Sequence, residues 1–289
     1  MRRHNRMKTG RNKKNRATAA FLLPSLGGVA LFVLIPFADV IRRSFLDAMG
    51  IEFKGIGNYL ELFHNSAFLL AVKNTMRFAF ICIPLLLLFS LGVAVLLSGV
   101  GNKGRILKNF YLIPMAVPVA SIVLLWKFLF HSRGFLSDFC CMVHLSPQDW
   151  MNSSAAFWVL VVSYLWKNMG YDIILWSAGL AAIPENLYEA AKVDGAGSLD
   201  CFFRITLPNL MPVFYTITVL SFLNSFKVFR EAYLVAGDYP HDSMYLLQHV
   251  FNNWFRELSL DKMAAGAVMT FLAVMILILL LQRAWGREE

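Results

Sequence analysis

FAFICIPLLLLFSLGVAVLLS, Phe78 to Ser98, runs for 21 residues without a charged side chain. At about 1.5 Å per residue such a helix is roughly 30 Å long, the thickness of a bilayer's hydrocarbon core. Three further uncharged runs, Ala17 to Ala38, Asn109 to Trp126 and Met263 to Gln282, approach the same length. The whole chain of 289 residues is 58% apolar and 16% charged, whereas soluble domains run near 45–50% and about 25%. These values describe an all-α, polytopic integral membrane protein. Six spans are expected, at about 17–40, 72–98, 107–130, 155–182, 211–236 and 263–282.

The formal charge of +9 has an uneven source, since eight of the 27 Lys and Arg fall in the first 16 residues. That excludes a nucleic-acid-binding domain as the reason for the charge and marks 1–16 as a basic tail kept in the cytoplasm. The run after it exceeds the roughly 7–15 apolar residues of a signal peptide and lacks a small-residue cleavage site, so it reads as an uncleaved anchor. An even number of spans then places both termini of a multi-pass cell-membrane protein inside. Lys103, Arg105 and Lys108 near 99–108, Lys192 and Arg204 in 183–210, and Arg283 and Arg287 agree with this sidedness. The stretches near 41–71, 131–154 and 237–262 lie outside and are long enough for short surface helices. Pro36, Pro84, Pro114 and Pro118 interrupt apolar runs, which a packed bundle tolerates because neighbours satisfy the freed backbone groups. Cys82, Cys140, Cys141 and Cys201 have neither metal nor C-x-x-C spacing, which leaves no redox or zinc site, and adjacent Cys140 and Cys141 read as free thiols.

The cytoplasmic segment IPENLYEAAKVDGAGSLDCFFRITLPNLMP, Ile183 to Pro212, is more informative. Pro184 stops the fourth span, Glu185 to Val193 is a helix-forming run, and Asp194-Gly195 punctuates as a turn. A second helix is expected from Ser198 to Thr206, ended by Pro208 and then Pro212. Leu187, Tyr188, Val193, Phe202, Phe203 and Ile205 are more apolar than a free loop should be, so either another chain covers them or they pack under the bundle.

The pattern E-A-A-x-x-D-G-A, followed by F-x-x-I-T-L-P and a further Pro, resembles the EAA loop of membrane subunits of binding-protein-dependent ABC importers. I-P-x-x-L-Y ahead of it is similar to the oligosaccharide, maltose-type branch. Ser44-Phe45 with FKGIGNY (Phe53 to Tyr59), Phe68 and Asn74-Thr75 resembles the external segment after the first span of that branch. SFKVFREAYLVAGDYP, Ser225 to Pro240, resembles the end of its fifth span. The resemblance implies a bundle of the type I importer permease kind, 17–289, with an ATPase-coupling loop at 183–212. Its implied partners are a second, non-identical permease, two cytoplasmic ATPase subunits, an external solute-binding protein and a sugar substrate, with lipid around the spans and no nucleic acid. Glu189 is then expected to pair with a basic side chain of the ATPase, Ala190, Ala191, Asp194, Gly195 and Ala196 to shape the elbow, and Pro208 to close the segment.

Ionisable groups inside spans are costly and usually face a cavity or a partner. Span four carries Lys167 and Asp172; span five carries Asn224, Lys227, Arg230 and Glu231. Asn224, Lys227 and Glu231 are spaced for one helix face. They either line a sugar pathway beside aromatic rings such as Trp126, Trp158, Trp166 and Trp176, or form an ion pair, Lys227 with Glu231 or Asp172. No phosphate loop, H-E-x-x-H or G-x-S-x-G is present, so no cofactor is expected and ATP hydrolysis is assigned to a partner. A secondary transporter would show inverted hydropathy repeats, which are not found; an intramembrane enzyme would need a catalytic constellation. Glycerol phosphate or another small polar solute is the alternative substrate.

Overall fold

A computed structural model describes residues 22–100, 102–144, 146 and 149–285. The basic tail 1–16 and Arg287 lie outside the described residues. The described elements are α1 (Leu22–Arg43), α2 (Gly57–His64), α3 (Ser66–Ser98), α4 (Asn102–Phe110), α5 (Ile113–Ala116), α6 (Val119–Phe130), α7 (Phe135–Met142), α8 (Ala156–Ala182), α9 (Glu185–Val193), α10 (198–209), α11 (Met211–Ala236), α12 (Leu247–Arg256) and α13 (Leu260–Trp285). Among these residues there is no strand, only an isolated bridge between Leu46 and Phe53.

Five helical stretches have both the length and the apolarity to cross a bilayer: Leu22–Arg43, Ser66–Ser98, Val119–Met142, Met211–Ala236 and Leu260–Arg283. The sixth expected span is α8, 27 residues long. It falls short in apolarity because Lys167, Asn168 and Asp172 sit near its middle. The third span departs from expectation. The run from 107 to 130 is broken at Pro118, which forces Val117 out of the helical region (φ −71°, ψ 129°), and α6 ends at Phe130, where His131 leaves the helical region (ψ 153°) before α7 begins. Pro84 lies within α3, and that helix runs unbroken over 33 residues. Pro36 follows a π-helical turn in α1, where the Ile35 N–H reaches back to Ala30.

Two compact units partition the chain, one built from the residues up to His64 with Trp254–Leu272, the other from Asn65–Asn253 with the residues from Ala273 on. In the first, the FKGIGNY stretch acquires a physical meaning. Asn58 is fully buried and donates to the carbonyls of Ser44 (3.0 Å) and Leu46 (2.7 Å), closing the loop that follows α1. The Tyr59 and Ser44 hydroxyls are 2.6 Å apart. Lys54 reaches Glu61 at 3.2 Å and the buried Asp261 at 3.8 Å.

The second unit is organised around α3 and α8. Phe78 meets Tyr164 edge to face at 5.5 Å, and the indole N–H of fully buried Trp176 donates to Ser90 Oγ at 3.0 Å. Between bilayer-embedded helices the gain comes from close packing and interhelical hydrogen bonds rather than from expelled water. Gly170 on α8 accordingly lies against the backbone of Tyr111, at the break between α4 and α5. At the expected external end, Asn74 donates to the carbonyls of Asp242 and Tyr245, and Thr75 Oγ1 accepts from the Leu247 N–H at 3.0 Å. Beyond the span, His249 on α12 accepts from the Leu246 N–H at 3.0 Å. Burial lowers its imidazole to about 4, so it is neutral at physiological pH.

Candidate functional site

The segment between α8 and α11 folds as two short helices joined by a tight elbow. α9 covers the residues expected of it, Glu185–Val193. It closes in a hydrogen-bonded glycine cap: the Gly195 N–H donates to Lys192 O at 3.1 Å and the Ala196 N–H to Ala191 O at 2.9 Å. Gly195 sits at φ +81°, a conformation glycine adopts without penalty. The second helix does not stop before Pro208. It passes from Ser198–Cys201 through a π turn, Phe202–Thr206, into Leu207–Asn209. Pro208 lies in that last piece, just after the π turn whose closing bond runs from the Leu207 N–H to the Phe202 carbonyl. The Tyr188 hydroxyl and Thr206 Oγ1, 2.8 Å apart, fasten the two helices.

Of the apolar residues in this segment, Tyr188, Phe202 and Ile205 are partly covered, whereas Val193, Leu199 and Phe203 are 88%, 74% and 60% exposed. Glu189, Asp194 and Pro208 are exposed as well. The knob is therefore held by its own hydrogen bonds and presents an uncovered apolar and acidic surface.

The span-borne polar residues meet elsewhere in the second unit, at a cavity of about 170 Å³. Lys167 contributes from α8, and Asn224, Lys227, Arg230 and Glu231 from α11, with Trp126 of α6 at its wall. α11 is not uniform here: a 3-10 turn at Phe226–Val228 changes the helical phase just where these residues project. Glu231 is buried and forms an ion pair with Lys167 across the two helices. Lys227 donates instead to Asn224 Oδ1 at 2.7 Å. The pairing of Lys227 with Glu231 or Asp172, one of the two sequence alternatives, is thus replaced by an interhelical pair. Spacing within one helix could not reveal a partner on another.

Asp172 is brought close to this group without lining the cavity. It is buried and accepts from the Ser221 hydroxyl at 3.2 Å, while Tyr164 OH donates to the Ser221 carbonyl at 2.6 Å. Trp176 is committed to Ser90, and Trp158 and Trp166 are exposed on the helix surface, so only Trp126 of the four indoles faces the cavity. Sequence reading did not single out Ser163, Tyr164 or Asn168, which also line it. Ser163 and Tyr164 lie one helical turn before Lys167, a spacing that would have found them, whereas Asn168 is its immediate neighbour and carries no such signal.

Residues 103–285 match the family described as binding-protein-dependent transport system inner membrane component. The chain is 30% identical over 262 residues to the sn-glycerol-3-phosphate transport system permease protein UgpA of Yersinia enterocolitica, covering 88% of each. To the protein of the same name from Salmonella typhimurium LT2 it is 31% identical over 263 residues, again covering 88% of each. Its fold is similar to that of a chain in the crystal structure of a bacterial ABC transporter involved in the import of the acidic polysaccharide alginate. There the TM-score is 0.79 at 21% identity, over 95% of this chain and 96% of that one. A second such structure, in complex with alginate pentasaccharide-bound periplasmic protein, gives 0.77 at 20% identity over 94% of each chain. Family match, relatives and fold agree that the chain belongs to the inner-membrane components of binding-protein-dependent transport systems, as a multi-pass permease of an ABC importer.

Proposed function

We infer that this permease passes a sugar or sugar-like polyol derivative, handed over by an external solute-binding protein, through a route that includes the α6–α8–α11 cavity. ATP hydrolysis resides on two cytoplasmic subunits, and a second, non-identical permease completes the pore. The observation that carries the reading is the α9–α10 knob, rigid through its own cap yet leaving Val193, Leu199 and Phe203 uncovered. Exposed apolar residues rimmed by polar ones mark a docking surface. In this reading Glu189 meets a basic side chain of the ATPase, Ala190, Ala191 and Ala196 allow close approach, and Asp194, Gly195 and Pro208 set the elbow. Both termini and the knob face the cytoplasm. A single cysteine at Ser243, in a background without native thiols, is then expected to react with an impermeant reagent in intact cells; labelling at Ser198 from outside would invert the assignment.

Two substitutions test the coupling. Glu189 has no side-chain partner among the described residues, so Glu189→Lys is expected to leave the amount of inserted protein unchanged. By setting like charges together at the contact it should lower uptake at least tenfold. An undiminished uptake rate sinks the coupling role. Gly195→Val probes the elbow differently. A Cβ there meets nothing within 4 Å, so within the chain the substitution costs only the backbone strain, on the order of 1–2 kcal/mol. A loss of ATPase co-purification with normal membrane levels is expected from a partner lying against this backbone. A variant that retains the ATPase makes Gly195 a turn residue only. Glycerol phosphate is the second reading of the substrate, favoured by the names of the relatives at 30–31% identity.

A further inference from the structure

Resting on the importer reading, we propose that the cavity selects an anionic solute, a polyol or sugar bearing a phosphate or carboxylate group, and that Lys227 and Arg230 receive that group. Of the charged residues lining the cavity, Lys167, Lys227 and Arg230 are cations and Glu231 is the single anion. Glu231 is already neutralised by Lys167. Lys227 has only the neutral Asn224 amide oxygen as a partner, and Arg230 has no side-chain partner among the described residues. Asp172, the other carboxylate nearby, is turned to Ser221 and does not line the cavity.

A neutral sugar does not call for this arrangement. Hydroxyl groups are served by amides, hydroxyls and an aromatic face, which Asn168, Asn224, Ser163 and Trp126 supply. Two uncompensated cations beside a transmembrane route are costly unless an anion or water faces them. An ammonium supplying a point charge next to a guanidinium capable of two parallel hydrogen bonds is a fitting receiver for a carboxylate or a phosphate ester. The neighbouring polar and aromatic groups remain for the rest of the solute.

The test uses the complete importer, this chain with its partner permease, ATPase subunits and binding protein, in proteoliposomes. ATP-driven uptake is compared for sn-glycerol 3-phosphate, digalacturonate, glycerol and maltose. Uptake of either acidic probe, but not of glycerol or maltose, is expected; the first two probes separate a phosphate-bearing from a carboxylate-bearing solute. Lys227→Gln with Arg230→Gln should lower acidic-probe uptake at least tenfold in complexes that still co-purify, and the exchange Lys227→Arg with Arg230→Lys should restore most of it. Maltose or glycerol uptake that is equal in wild type and in the Gln double variant overturns the anion assignment while leaving the importer reading intact. Uptake of none of the four probes, with no stimulation of ATP hydrolysis by the binding protein, overturns the importer reading and this inference with it.

Discussion

Alanine at Gly170 is expected to be the most damaging single-atom-scale change in the transmembrane core. A Cβ built there would lie 1.8 Å from the Tyr111 carbonyl oxygen, 2.4 Å from its carbon and 3.0 Å from the Leu112 nitrogen. All three are backbone atoms, so no rotamer change relieves the contact. Either α8 must move away from the α4–α5 break or the break itself must shift. Overpacking usually costs about 1–3 kcal/mol and more when only backbone can yield, so a destabilisation at or above ~3 kcal/mol is expected. The measurement is the thermal midpoint and the monodisperse yield of the purified complex. Gly92→Ala on α3 is the matched control. A Cβ there meets nothing within 4 Å, so relief of the helix's glycine penalty should leave stability equal or raised by about 0.5–1 kcal/mol. Equal midpoints for the two variants would show that α8 does not rely on close backbone approach. Because Lys167 and Asp172 flank Gly170 on the same helix, its loss is also expected to disturb the cavity before the chain unfolds.

Much of the architecture was legible from local pattern. The apolar runs place the spans because a bilayer fixes their length and general polarity, and 211–236 and 155–182 agree with α11 and α8 within a residue even though both carry charged groups. Helix α9 and its glycine elbow were readable because capping is a local matter of a few adjacent residues. The expected third span, 107–130, ends with α6 at Phe130 but is interrupted inside, because apolar composition counts Pro118 as no obstacle, whereas the backbone does. The second coupling helix reaches Asn209, one residue past Pro208, after a π turn at Phe202–Thr206 that local composition does not announce. What the sequence could not disclose was partnership across helices. Lys227 and Glu231 share a plausible spacing on α11, yet the carboxylate is taken by Lys167, 64 positions away. Asn74 and Thr75 likewise stood only as part of a resemblance until their hydrogen bonds to 242–247 gave them a task.

The Lys167–Glu231 pair is where structural and functional accounts separate most sharply. Glu231 is 5% exposed and one of its oxygens has no hydrogen-bond partner, so the ammonium of Lys167 is the main compensation for its charge. Lys167→Met alone strands a buried carboxylate, at a cost on the order of 3–5 kcal/mol. Glu231→Gln alone leaves Lys167 facing a cavity that already holds Lys227 and Arg230, and a milder loss is expected. The double variant Lys167→Met with Glu231→Gln has no charge left to strand, so assembly, read by co-purification and thermal midpoint, should recover to near the wild-type value. Uptake should not recover with it. Removing the pair changes the charge and the hydrogen bonding at the cavity wall even when the helices pack normally, and solute transfer is expected to stay at least tenfold below wild type. Recovery of both assembly and uptake would make the pair a structural clasp and take Lys167 and Glu231 out of the pathway. Failure of the double variant to assemble would show that the ion pair holds α8 to α11 in a way that apolar packing cannot replace. The midpoint and the uptake rate must therefore be measured on the same preparation, since it is their divergence, rather than either value, that assigns the role.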